Sequence, residues 1–468
     1  MKYDNEAKLF QNFAMISNTR KFTFSQKPVY ITPAAIRHYN DNQISDISSH
    51  SGREACQEYN NSNIKIYFDF GYYTLITPFR FTWDSTEQDF IIHTNRLQQI
   101  LCGFRHLIMF IPIVTSVRQK IAQSRDVLVL YYFDVFRCIV MLPYLLTYSV
   151  TLWSRSDAVK DVVKQSTYNS GYFGKNPSEP SQQAWWHRFY NRLNKVAFLC
   201  ACAIILPVIS TRSAVGDIVG DPIATVMNQS LQAKYSLFLK DADYERNSSN
   251  RNETGSELSM TVDNPSWDSI LLYILHIIST HSKDAMDCFA SLSIIISAIT
   301  LLEAAQCFTS NLQEANFSFS TATQVPGILD QFYDLKKFSE PINRFVAPTT
   351  FFYSIVSISY MTVKFDDIAA TMKFLDKFEI LYFLINDAYL FFMAARVCQE
   401  MHEFWKWLVR RETRTLLSPE EMTTLLADVS TTPIGISGNG MFTIDHKFLG
   451  TIGITLITLF VIVLQVKK

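Results

Sequence analysis

Seven stretches of the sequence combine an apolar composition with a length close to that of a membrane-spanning helix. They are residues 106–117 with the lead-in 97–103, 138–154 with the extension 127–133, 196–211, 269–302, 345–363, 380–395 and 448–466. A tilted helix needs about 20 residues to cross about 30 Å of hydrocarbon. A helix also satisfies its backbone hydrogen bonds within one segment, which lipid requires. The pattern therefore predicts an all-α, polytopic membrane protein with seven transmembrane helices.

Two of these helices are predicted to extend beyond the membrane. The stretch 269–302 is too long for a single crossing, so we expect a helix that crosses the lipid and continues as a solvated rod. The sixth stretch continues through 400–407 with its charges on one side, well past the membrane.

The segment between the sixth and seventh stretches carries clear boundaries. Ser418 begins a capping box with Pro419 at the first helical position, which predicts a new helix that ends near 432–433. The glycine-rich segment 435–440 then interrupts helical structure, and 441–449 is amphipathic enough to lie at the membrane interface.

Loop charge and glycosylation sequons predict the orientation. The first ninety or so residues are polar and lack the apolar core of a secretory signal, so we expect them in the cytosol. The loop 155–195 contains several Lys and Arg residues, as cytosolic loops do. Sequons at Asn228, Asn247 and Asn252 share the loop between the third and fourth stretches, where glycosylation requires exposure outside the cell. These features place the N-terminus in the cytosol and the C-terminus in the extracellular space.

Composition excludes several functional classes. Charged residues make up 18% of the chain, against about 25% in soluble proteins, and the net charge of −1 offers no basic footprint for nucleic acid. None of the eight cysteines lies in a predicted outer loop, which excludes a disulfide framework there. The sequence lacks phosphate-loop, dinucleotide, zinc-protease and hydrolase motifs. We therefore expect no enzyme activity, no cofactor, no metal site and no nucleic-acid partner.

Ionisable and aromatic residues inside the predicted spans are candidates for a ligand site, because buried charge in lipid is costly. With the N-terminus inside, they gather in the outer half of the membrane: Tyr131, Asp134, Arg137, Tyr273, His276, Tyr360, Tyr382, Asn386 and Asp387. Asp134 and Arg137 are three residues apart on one helical face, where they can pair. A structural ion pair and an ordinary aromatic core are the alternatives to a small-molecule pocket.

The last span carries a recognisable motif. Residues 440–449 and Thr458 to Val466 resemble the C-terminal signature of insect gustatory receptors, which reads Thr-Tyr, five apolar residues, Gln-Phe. Thr458 and Gln465 match at the right spacing, whereas Leu459 and Val466 replace the Tyr and the Phe. The resemblance indicates a divergent gustatory-receptor-like chain of the invertebrate chemoreceptor group, with a nematode among the candidate sources.

The resemblance implies a ligand-gated, non-selective cation channel that acts in taste-type chemosensation. Such receptors are tetramers of identical or related subunits in the plasma membrane of sensory neurons, pass monovalent and divalent cations, and respond to a small-molecule agonist. The last helix lines the pore, so Thr458, Leu459, Gln465 and Val466 become candidate pore or gate residues. Four Gln465 side chains around a pore can replace part of an ion's hydration shell; the alternative is that Gln465 lies at the water interface beside Lys467.

These expectations divide the chain into four parts. Residues 1–96 form a cytosolic, partly disordered N-terminal region, and 97–397 form six transmembrane helices with a ligand-sensing outer half. Residues 398–445 form cytosolic anchor helices and a linker, and 446–468 form the seventh, pore-lining helix.

Three other functions remain open at this point. A G-protein-coupled receptor needs the opposite orientation and commonly an outer disulfide that this chain cannot make. A light- or peroxide-responsive receptor would keep the same fold. A transporter is disfavoured because the two halves of the sequence show no internal repeat.

Overall fold

Helices dominate the computed structural model, which describes residues 63–84, 89–122, 128–173, 267–317, 325–369, 374–410, 418–431 and 434–466. In chain order the described elements are α1 (Asn63–Tyr73), β1 (Arg80–Asp84), β2 (Asp89–His93), α2 (Arg96–Ile108), α3 (Phe110–Ala122), α4 (Leu128–Ser154), α5 (Ser156–Phe173), α6 (Trp267–Phe317), α7 (Val325–Ala369), α8 (Phe374–Val409), α9 (Pro419–Thr431), β3 (Ser437–Gly438), β4 (Phe442–Thr443) and α10 (His446–Val466).

Four helical segments of the described chain are long and apolar enough to cross a membrane: Arg96–Val117, Tyr132–Ser154, Ile274–Thr309 and Gly327–Lys364. They coincide with the first, second, fourth and fifth predicted spans. The first consists of two helices, α2 and α3, that meet at Met109. The sixth predicted span lies within α8 and the seventh within α10, whereas the third, 196–211, lies outside the described residues.

The long helix α6 is buried along most of its length. Beyond the predicted lipid segment, Ala304, Ala305 and Phe308 remain buried, and the Phe308 ring lies 5.1 Å from the ring of Phe404 and 6.5 Å from that of Phe332. The expectation of a solvated rod is therefore wrong. Because α7 and α8 extend past the same level, the three helices continue one shared core that α6 would otherwise expose to water.

Helix α7 passes through two prolines, and one of them creates a contact between elements. Proline has no N–H group, so Pro348 leaves the carbonyl of Arg344 without its helical partner. The Arg155 guanidinium, at the junction of α4 and α5, donates to that carbonyl oxygen at 2.6 Å. The carbonyl left free by Pro348 thus connects the junction of α4 and α5 to α7.

The segment ahead of the first span packs into the bundle. Tyr67 and Phe68 of α1 are buried, and the ring of Phe68 lies 6.3 Å from the ring of Phe345 on α7. The antiparallel strands β1 and β2 add the buried Phe81 and Phe90 to the same core. The sequence pattern did not indicate these elements, which are small additions to an all-α fold.

A tight hairpin joins α9 to α10. The helix α9 begins at Pro419 and ends at Thr431, as predicted from its capping box. Asn439 and Gly440, with φ of 54° and 74°, form the turn between β3 and β4. The segment 441–449, expected as one amphipathic stretch at the interface, is divided between β4 and the first turn of α10. The reason is Asp445, whose carboxylate accepts a hydrogen bond from the Phe448 N–H at 2.6 Å and so starts the helix.

Candidate functional site

A cavity of about 290 Å³ lies among α3, α4, α6, α7 and α8. Its volume is close to the lower limit of known ligand pockets, about 300 Å³, which suits a small ligand. The wall combines apolar side chains with aromatic and ionisable ones. The ionisable residues are Arg137, Lys283, Asp284, Asp287, Lys364 and Asp387, and the aromatic residues are Tyr353, Tyr360 and Phe383.

Asp387 of α8 is the centre of a buried hydrogen-bond network. Its side chain is 3% exposed and accepts hydrogen bonds from the Tyr353 hydroxyl and, at 2.6 Å, from the Ser357 hydroxyl. Asn386 donates from Nδ2 to the Tyr353 hydroxyl oxygen at 3.4 Å. Because Tyr353 and Ser357 are one turn apart on α7, this network joins α7 to α8 at the cavity wall.

Arg137 of α4 forms a second link across the cavity. Its guanidinium pairs with Asp134 at 2.8 Å, so the ion pair predicted from their spacing is confirmed. The same guanidinium lies over the ring of Tyr360 on α7, 5.5 Å from its centre, which is cation–π geometry. Tyr360 in turn packs against Phe383 of α8 at 5.2 Å between ring centres.

Helix α6 supplies the third part of the wall. Lys283 and Asp284 form an ion pair at 2.9 Å, and Asp287 lies one turn further along the same helix. The Tyr144 hydroxyl of α4 donates to the backbone carbonyl oxygen of Asp287 at 3.4 Å. Ionisable groups of both signs therefore line one cavity from four helices.

Four of the nine candidate ligand residues line this cavity, namely Arg137, Tyr360, Asn386 and Asp387. Asp134 is buried as the partner of Arg137, and the half-buried His276 of α6 is not part of the lining. The side chains of Tyr131, Tyr273 and Tyr382 lie outside the described part of the structure. The predicted glycosylation sites at Asn228, Asn247 and Asn252 also fall outside the described residues.

Sequence reasoning gave no ligand role to several lining residues. Tyr353, Ser357 and Lys364 lie on α7 at the spacing that places them on one face together with Tyr360. That helical periodicity within an otherwise uncharged span was the available indication. The position of Phe383 against them depends on how α8 packs and has no counterpart in the sequence.

Among the described side chains of α10, those that pack against the core lie near its beginning. Phe448, Leu449 and Ile452 contact the core, whereas Ile454, Ile457 and further apolar side chains are exposed. Of the four candidate pore residues, Thr458 and Gln465 are exposed, Leu459 is half-buried, and the side chain of Val466 lies outside the described set. The Thr458 hydroxyl donates to the Ile454 carbonyl of its own helix at 2.8 Å.

The segment that leads into α10 is held by α7 and α8. The side-chain amide of Asn343 on α7 donates to the Gly435 carbonyl oxygen, and its Oδ1 accepts from the Ser437 N–H, both at 2.9 Å. On α8, the Cys398 thiol lies 3.5 Å from the Ile444 carbonyl oxygen, and Gln399 Oε1 accepts from His446 Nε2 at 3.0 Å. We refer to these contacts of Asn343, Cys398 and Gln399 as the hairpin clasp.

The clasp is shielded from water around Cys398, whereas Gln399 and His446 are exposed. Ile434, Ile436 and Ile444 of the hairpin segment are buried, and burial raises the pKa of the Cys398 thiol to about 12. The same two helices thus contact the cavity at one level and the entrance to α10 at another.

Comparison with known proteins finds a likeness in fold alone. No family model and no curated protein matches the sequence. Among solved structures, the insect olfactory receptor OR5 from Machilis hrabei matches with a TM-score of 0.56 and 13% sequence identity, over 86% of this chain and 97% of that chain. The same receptor in complex with eugenol matches with a TM-score of 0.47 and 16% identity over the same shares of the two chains. The chain therefore has the all-α, seven-helix transmembrane fold of an insect olfactory receptor.

Proposed function

We propose that this chain is a subunit of a chemosensory cation channel that opens when a small molecule binds in the cavity. The observation that carries the proposal is that α7 and α8, which wall the cavity, also hold the entrance to α10 through the hairpin clasp. The shared fold supports an assignment to the invertebrate chemoreceptor group, since its counterpart is an olfactory receptor. The motif of Thr458 and Gln465 favours the gustatory branch.

Helices α7 and α8 connect the cavity to the segment that leads into α10. Tyr353 and Asn343 are ten residues apart on α7, about 15 Å at 1.5 Å per residue, and Asp387 and Cys398 are separated by a similar length of α8. An agonist that draws Asp387 and Tyr353 into a new arrangement therefore displaces the far ends of both helices. It opens the channel only to the extent that it binds the open arrangement more tightly.

The pore is formed by α10 from several subunits. The exposed apolar side chains of its later turns need lipid or neighbouring chains around them, which supports association through this helix. In a homo- or heterotetramer of related subunits, Gln465 contributes to an ion path for monovalent and divalent cations. The N-terminus lies in the cytosol and the C-terminus outside the cell, in the plasma membrane of a sensory neuron.

Whole-cell recording from cells that express only this chain tests the proposal. Sugars, bitter compounds, peroxide and light are applied in turn, and we expect one stimulus to evoke a cation current. The current should persist when GDPβS in the recording pipette blocks G-protein signalling. A response that GDPβS abolishes supports a G-protein-coupled receptor instead, and a response to light or peroxide alone changes the stimulus class.

The orientation is tested separately with an epitope tag placed after Lys468. On intact cells the tag should be accessible to antibody. A tag that becomes accessible only after permeabilisation, in a protein that reaches the surface, would falsify the proposed orientation and with it the outer position of the cavity.

A further inference from the structure

The cavity wall carries ionisable side chains of both signs. Three of the lining residues are basic and three are acidic: Arg137, Lys283, Lys364, Asp284, Asp287 and Asp387. Ionisable side chains are rare within transmembrane helices and usually mark a functional path or site. Six ionisable side chains around a cavity of about 290 Å³ are more than the binding of an apolar odorant requires.

The charges are held by specific partners at the wall. Arg137 is paired with Asp134, Lys283 with Asp284, and Asp387 with the hydroxyl groups of Tyr353 and Ser357. A buried charge that loses its partner is strongly destabilised, whereas one that exchanges partners is not. A ligand that enters this space must therefore replace each polar contact that it disturbs.

This requirement separates the ligand classes. An apolar ligand desolvates the charges and returns no hydrogen bond. A purely cationic or purely anionic ligand can pair with wall groups of one sign only, and its charge repels the groups of the other sign. A small molecule that has both a positive and a negative group can bond to wall groups of both signs. Its hydrogen bonds are then charge-assisted, and such bonds are stronger than those between neutral groups.

We propose that the agonist is a small zwitterion of the size of an amino acid. Its ammonium group is received by Asp387 and Asp287, and its carboxylate by Arg137 and the neighbouring lysines. This inference rests on the proposed function, because it names the ligand class of the same cavity.

The test uses cells that express the full-length chain and the twenty standard amino acids as probes. The amino acid that evokes the largest current is then compared with its methyl ester, which is a cation, and with its N-acetyl derivative, which is an anion. We expect the half-maximal concentration to rise about tenfold or more for both derivatives, the effect of one lost charged contact. A neutral polyol of similar size, such as glucose, serves as the third comparison.

Two variants test which residue binds the ammonium group of the ligand and which binds its carboxylate. Asp387→Asn keeps the side-chain shape and should weaken the response to the amino acid while leaving the weak response to the N-acetyl derivative unchanged. Arg137→Gln should weaken the response to the amino acid but not to its methyl ester. Glu403→Gln, an exposed carboxylate of α8 paired with Lys406, is the matched control and should change neither.

The outcomes distinguish a wrong ligand class from a wrong channel function. Currents evoked by glucose or by an apolar odorant, with none from amino acids, overturn the zwitterion but leave the channel intact. Surface-expressed protein that carries no current under any stimulus overturns the proposed function as well. If a variant fails to reach the surface, stabilisation of the purified wild-type chain against heat by the amino acid, and not by its two derivatives, decides the ligand class instead.

Discussion

Asn343 offers the sharpest test of how the cavity communicates with α10. It makes two hydrogen bonds of 2.9 Å to the backbone of the hairpin segment, one as donor and one as acceptor. It does not line the cavity. Asn343→Ala should therefore weaken the coupling between agonist binding and channel opening, without changing the binding site itself.

The expected size follows from those two bonds. Each contributes about 0.5–1.5 kcal/mol net, so the variant loses about 2 kcal/mol of contact between α7 and the hairpin. Since about 1.4 kcal/mol corresponds to a factor of ten, the opening equilibrium changes by at most about 25-fold. The change reaches that limit if the bonds exist only in the open state, and it is smaller if the closed state keeps one of them.

The assay is a concentration–response curve with currents normalised to the amount of protein at the cell surface. We expect a lower maximal current and a higher half-maximal concentration, because the variant opens less readily at each agonist concentration. Ser339→Ala is the control. The Ser339 hydroxyl lies one turn earlier on α7 and, within the described part of the chain, donates to the Lys336 carbonyl of its own helix at 2.7 Å. If Asn343→Ala and Ser339→Ala give the same curve as the wild type, the clasp has no part in opening.

Three further predictions address the pore, the orientation and the clasp. Gln465→Ala should alter ion permeation or block without loss of surface expression, and unchanged currents would remove Gln465 from the pore. Asn247→Gln together with Asn252→Gln should raise gel mobility if their loop is glycosylated; equal mobility would leave the orientation dependent on loop charge. Cys398 should resist iodoacetamide in the folded protein and should react after denaturation. A pKa of about 12 leaves about one thiol in ten thousand ionised at pH 8, and the thiolate is the reactive form. Rapid labelling of the native protein would contradict the shielding of Cys398.

Much of the helical architecture could be predicted from the sequence, because apolar run length and capping are local properties. The charge-free span in α7, the start of α9 at Pro419 and the pairing of Asp134 with Arg137 all depend on residues close together in the chain. The choice of Asp387 as a candidate site residue follows likewise from the cost of a carboxylate in a membrane helix, and Asp387 lines the cavity.

The missed features depend on how distant elements pack. The hydrogen bond from Tyr353 to Asp387 needs the relative height of α7 and α8, and the clasp joins Asn343 to residues more than ninety positions later. The environment of the second half of α6 was predicted wrongly for the same reason. Whether such a helix meets water or protein is decided by its neighbours, and its own sequence of Ala, Leu and Phe permits both.

The clasp also has a consequence for biosynthesis. Ribosomes complete α7 and α8 before they synthesise residues 434–444. Until then, the groove that will bury Ile434, Ile436 and Ile444 is empty. Until then the amide of Asn343 has no hairpin backbone to bind. A transcript that stops ahead of residue 434 therefore yields a protein with an unfilled apolar groove, and exposed apolar surface is what chaperones recognise. Quality control in the endoplasmic reticulum should retain such truncated chains before they reach the cell surface.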